Sequence, residues 1–208
     1  MALWLISGSI KAVYTAVLEL TTNSCLFSYT FAAQLIRLQP PQYITDLDFI
    51  AAEAEARAEE NDHFLRSLRT LDADALDATA HLVNNEVSSA IDCTECGNCC
   101  SRLVINVTGP EVKGLAGTLG ISERETRELY IEESMGGNCF VNTIPCHFLS
   151  DKKCTIYTGR FTECREFPHL HKLGFKARLA GTLNYYGTCP IIYNVVEVMK
   201  RKTGFIGS

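Results

Sequence analysis

The sequence predicts an α-rich fold with loops and little sheet, arranged as a metal-cluster-centred domain behind an N-terminal helical extension. Three observations predict it. Between residues 45 and 90 the apolar side chains recur at helical rather than strand spacing. At 93–100 the chain reads C-T-E-C-G-N-C-C, and further cysteines follow in a stretch rich in Gly, Asn and Pro, the composition of loops gathered around a site. The chain has 208 residues, enough for one domain with its own core and an appendage. The expected boundaries are an apolar extension at 1–42, amphipathic helices at 43–90 and a cysteine-cluster metal-binding domain at 91–202.

Residues 1–38 carry only Lys11, Glu19 and Arg37 as charges. The longest uncharged stretch, 20–36, is rich in Thr, Ser and Asn, so no transmembrane span is expected. No basic residue precedes the apolar run at 2–10, which does not suit a signal peptide. A peripheral or packing helix, a weak membrane anchor and upstream sequence from a misplaced start all remain open. Cys25 reads as an ordinary thiol.

Pro40-Pro41 breaks the chain. From 45 to about 69, Leu47, Ile50, Ala51, Ala54, Phe64, Leu65 and Leu68 recur among carboxylates, which predicts an exposed amphipathic helix capped by Thr45 or Asp46. A second helix is predicted from about 72 to 90, with Leu76, Ala80, Leu82, Val83 and Val87 on one stripe, delivering the chain to the cysteines. His63 and His81 ride on these helices without ligand spacing to a partner, and read as surface or packing residues.

After the cluster, 103–107 alternates as a short strand, and Thr108-Gly-Pro-Glu starts a helix with Pro110 in its first turn. Gly120 ends that helix, and Ser122 with Glu125 forms a capping box for the next. Two short helices around a Gly turn also describe a DNA-reading helix-turn-helix. The second helix carries Glu123, Glu125, Glu128, Glu132 and Glu133 against Arg124 and Arg127, however, and would repel a phosphate backbone. No nucleic acid is expected as a partner, and the pair reads as a cap over the metal region. From 136 loops are expected, and Pro190 starts a final helix over 191–202 with Ile192, Val195, Val196 and Met199 inward.

Four cysteines within eight positions do nothing for a core that Val or Ala would not do, so they point to a bound metal. The C-x2-C spacing lets two sulfurs face inward from one turn, with Gly97 free to take a positive φ. In a zinc reading the thiols build closed tetrahedral sites that hold the fold together. In an iron–sulfur reading, Cys93, Cys96 and Cys99 match the front of a bacterial ferredoxin run, and Cys189-Pro190 supplies a remote Cys-Pro. Neighbouring side chains such as Cys99 and Cys100 are expected to diverge, which calls for a second site or a polynuclear cluster.

These residues carry a resemblance. C-T-E-C-G-N-C-C, then P-C-H-F-L at 145–149, C-T-I-Y at 154–157 and C-R-E-F-P at 164–168, resemble the CxxCxxCC family of YkgJ-like cysteine-cluster proteins over roughly residues 90–200. The resemblance implies a zinc- or iron-chelating domain, sometimes an Fe-S oxidoreductase, and a flagellin lysine N-methylase carries a similar domain. Where the family has Arg-Pro, this chain has Arg160-Phe161, which bears on a local turn. The metal ligands expected are Cys93, Cys96, Cys99, Cys100, Cys146, Cys154, Cys164 and Cys189. Cys139 lies outside the family pattern and is not among the expected ligands, although it could serve as an extra or alternative one. His147, His169 and His171 could each complete a Cys3His site, but with eight thiols available they read as supporting or surface residues.

Ten cysteines clustered as C-x2-C favour reduced, metal-binding thiols in a cytoplasmic setting over disulfides. The net charge of −5 hides an asymmetry: residues 43–90 carry 11 acidic and 3 basic side chains, residues 150–202 carry 10 basic and 4 acidic. The two segments can attract each other, and the basic one can lower nearby thiol pKa values. No Ser-His-Asp set, phosphate-cradling loop or dinucleotide fingerprint appears. The expected function is to bind a metal centre, an Fe-S cluster in preference to Zn, in a redox or electron-transfer role. The alternatives are a structural zinc module acting in protein interaction and a group-transfer enzyme similar to the methylase.

Overall fold

Asp46 starts the helices: its carboxylate accepts the Phe49 N–H at 2.9 Å, and α1 (Leu47–Ala56) follows. The computed structural model describes residues 42–207, so the expectations for the apolar extension and for Cys25 lie outside the described residues. The single helix expected over 45–69 is divided at Arg57, and α2 (Ala58–Ser67) runs on from there. Residues 55–60 offer no large apolar side chain to bury, so nothing opposes the break. Nor is this an exposed helix, because Ile50 and Phe64 are fully buried.

Asp72 caps α3 (Ala73–Ala90) by accepting the Ala75 N–H at 2.8 Å. Leu76, Ala80, Val83 and Val87 form its buried stripe at steps of three and four, but Leu82 is 71% exposed. Leu82 follows Ala80 by only two positions, which turns it off the buried face. The final helix, α9 (Pro190–Lys202), buries Ile192, Val195, Val196 and Met199 as expected. Between them lies α8 (Phe175–Leu183), which periodicity did not predict. The Asp77 carboxylate of α3 accepts the N–H groups of Gly174 and Phe175, both at 2.7 Å, and so supplies α8 with a cap from another helix. Helices α1, α2, α3, α8 and α9 share one apolar core.

The acidic and basic segments do meet in this core. Lys200, 4% exposed, donates to Glu60 at 2.7 Å and lies 2.7 Å from Glu197, while Glu197 also accepts the Tyr186 hydroxyl at 2.8 Å.

A second apolar cluster is built from shorter pieces. Its elements are α4 (Asn98–Arg102), β1 (Asn106–Val107), α5 (Gly109–Leu119), α6 (Glu123–Tyr130), β2 (Ile131–Glu133), β3 (Cys139–Val141), β5 (Lys153–Cys154) and α7 (Thr162–Glu166), with β4 (Leu149–Ser150) beside β5. Antiparallel strands run in the order β1-β3-β2, and β4 pairs with β5. The strand expected over 103–107 shrinks to its last two residues, where Val107 faces Cys139. Thr108 and Glu111 form a reciprocal capping box for α5, and Gly120 ends it at φ 71°. Of the capping box expected for α6, the Ser122 half is present: its hydroxyl accepts the Glu125 N–H at 3.2 Å. That helix ends at Tyr130, so Glu132 and Glu133 lie on β2 and not on the helix.

Candidate metal centre

Local chemistry sets the first turn. Asp92 accepts the Thr94 N–H at 2.8 Å and the Thr94 hydroxyl at 2.7 Å, which tightens the 3-10 turn Cys93–Glu95. Cys96 N–H then donates to the Cys93 carbonyl at 3.3 Å. Gly97 takes φ 64° and starts α4, which carries Cys99 and Cys100. The expected divergence of these neighbours is not what the chain does: their sulfurs lie 3.9 Å apart. Each Sγ stands one rotatable bond beyond the backbone, and χ1 turns both toward one cavity.

The remaining cysteines come from separate elements. Cys146 N–H donates to the Cys100 carbonyl at 2.9 Å. Cys154 sits on β5 opposite Leu149, Cys164 on α7, and Cys189 immediately before Pro190 at the start of α9. Asn98 ties the first turn to Cys189 by donating its side-chain amide to the Thr188 carbonyl at 2.7 Å. At Arg160-Phe161 the turn survives, because Phe161 takes φ −58°, a value proline also has, and its buried ring joins the second cluster.

A cavity of about 220 Å³ is lined by Cys93, Cys99, Cys100, Cys146, Cys154 and Cys164, with Phe148, Ile156 and Phe161 among its apolar walls. Cys96 and Cys189 do not line it. Among the described residues, no three His, Cys, Asp or Glu side chains are already closed tightly enough to hold an ion, and all nine described cysteines are free thiols.

Burial pushes the Cys164 thiol up to about 12, and repulsion from Cys100, Cys146 and Cys154 adds to it. Burial likewise lifts Cys189 to about 12, with Cys93 and Cys96 contributing. The hydrogen bond to Cys99 raises Cys100, and the same bond lowers Cys99. The expected help from the basic segment is confined to Arg160, which opposes the upward shifts of Cys93 and Cys154, both due first to burial. Crowded thiols raised by burial and mutual repulsion fit a cation as occupant, since metal binding displaces their protons and neutralises the thiolates.

Cys139 stands elsewhere, on β3, with the Arg127 guanidinium 3.8 Å from its sulfur, and it lines a neighbouring cleft. His147 bonds Asn142 at 2.7 Å on the exposed side of Tyr130. His171 is exposed. His169, at φ 61°, lies beside Cys99, Cys100 and Cys164 in an adjoining cleft, and burial holds its pKa down. His81 keeps a buried Nε2 without a hydrogen bond, consistent with a packing residue. Sequence reasoning gave Arg160 a part only in a local turn and passed over Asn98. A lone Arg or Asn gives no spacing signal, and only the fold places them at the thiols.

An α-rich fold that brings thiols from four separate pieces of chain to one cavity describes a cysteine-cluster protein. Residues 92–189 match the model of the CxxCxxCC family, described as a "putative zinc- or iron-chelating domain". No curated protein and no solved structure matches the chain. Among the described residues no helix is long and apolar enough to cross a membrane.

Proposed function

We propose that this protein holds an iron–sulfur centre on Cys93, Cys96, Cys99, Cys100, Cys146, Cys154, Cys164 and Cys189, and that the centre carries electrons in a reducing, cytoplasmic setting. The observation that carries this reading is the cavity that six of these thiols line. Its volume of about 220 Å³ is several times the roughly 30 Å³ share of a single water, so it offers more room than one ion needs, behind walls of Phe and Ile. Thiolate donors suit iron–sulfur clusters, and apolar surroundings of this kind tune their potentials. Arg160, acting on Cys93 and Cys154, offsets part of the negative charge that such a centre concentrates.

Protein purified without oxygen is expected to be brown, to contain iron and acid-labile sulfide, and to bleach reversibly with a reductant. Recovery of zinc alone, with no visible absorption after anaerobic reconstitution with iron and sulfide, would overturn the iron–sulfur reading. That result would favour the second reading, a structural zinc module. The Cys93–Cys96 turn with Gly97 at φ 64° supports it, because it has the shape of a zinc knuckle.

A further inference from the structure

We infer that the eight thiols divide into two adjoining four-thiol sites, one on Cys93, Cys96, Cys99 and Cys189 and the other on Cys100, Cys146, Cys154 and Cys164. The inference rests on the metal binding proposed above and assigns its ligands.

One apolar cluster gathers one of the two sets. Cys100, Cys146, Cys154 and Cys164 all pack in the second cluster, whereas Cys189 belongs to the helical core with Ile91 and Val196. Cys93, Cys96 and Cys99 belong to neither. Hydrogen bonds hold each set together. The Cys146 N–H reaches the Cys100 carbonyl at 2.9 Å, and Asn98, beside Cys99, reaches the Thr188 carbonyl next to Cys189 at 2.7 Å.

Four thiolates complete a tetrahedral ion or the four corners of a cubane cluster, so neither set needs a ligand from the other. The 3.9 Å contact between the Cys99 and Cys100 sulfurs joins them. With metal–sulfur bonds of about 2.3 Å, the nearest metal atoms of the two sites stand within about 8.5 Å of each other.

The test uses the full chain purified without oxygen, with metal per chain measured for single and paired Cys→Ser variants and folding followed by circular dichroism. Cys96→Ser, Cys189→Ser, Cys146→Ser and Cys164→Ser should each remove about half of the metal. Pairing Cys96→Ser with Cys189→Ser should remove no more than either alone, and pairing Cys189→Ser with Cys164→Ser should remove nearly all. Single variants that empty the protein, or a same-set pair that does, would overturn the division and leave metal binding standing. Wild-type protein that takes up neither iron nor zinc would overturn the metal reading itself. As a check that needs no variant, anaerobic titration of the metal-free wild type with cobalt(II) should saturate its thiolate charge-transfer band at two ions per chain. Saturation at one ion would overturn the division.

Discussion

A Cβ placed on Gly97 would stand 2.6 Å from the Lys152 carbonyl oxygen and 2.8 Å from its Cα. The turn that follows Cys96 and the turn between Cys146 and Cys154 therefore meet backbone to backbone, and no flexible side chain is there to move aside. Gly97 is also at φ 64°. Gly97→Ala is expected to cost about 1–3 kcal/mol for the backbone conformation alone, with the clash added, and to reduce bound metal. Thermal unfolding and metal analysis check it. Gly114→Ala on α5, where a Cβ meets nothing within 4 Å, should instead be neutral or stabilise by about 0.5–1 kcal/mol.

Lys200 is the buried cation between Glu60 and Glu197. Lys200→Met should destabilise by about 3 kcal/mol, because it leaves two partly buried carboxylates with only Arg57 and the Tyr186 hydroxyl beside them. Urea unfolding of the metal-loaded protein measures the loss. A change under about 1 kcal/mol would show that solvent screens this network as it screens a surface pair.

Acid should loosen the α5–α7 junction. Burial alone would push the Glu111 carboxyl up, but hydrogen bonds from Thr108 and from the Thr162 N–H outweigh it and bring it down to about 2. A folded-state value below the unfolded one, about 4.3, gives stability that is present above pH 4.3 and is lost as pH falls toward 2. Glu111→Gln should lower stability at pH 7, by about 1 kcal/mol as for a lost helix cap, and should flatten the acid limb of the stability profile. Equal acid sensitivity in wild type and variant would contradict this.

Duplex DNA should not be retained by the protein. On α6, Arg124 pairs with Glu128 at 3.2 Å and Arg127 with Glu123 at 3.5 Å, so both cations already face carboxylates of their own helix. Salt-sensitive retention that Arg124→Ala and Arg127→Ala abolish would reverse the conclusion.

The sequence by itself determined the features governed by near neighbours. Asp46, Asp72 and Ser122 mark helix starts, Gly120 marks a stop, and the stripe Leu76, Ala80, Val83, Val87 reads out a buried face. The cysteine spacing named the metal-chelating class in the same way, because ligand spacing within a turn is a local property. Tertiary structure alone decided how the pieces combine. Asp77 caps a helix almost a hundred residues away, Lys200 leaves the solvated end of α9 to join Glu60, and the sulfurs of Cys99 and Cys100 turn together. Periodicity records which face of an element is buried but not what lies against it. Which thiols pack against which core is likewise decided only when elements distant in sequence pack against each other.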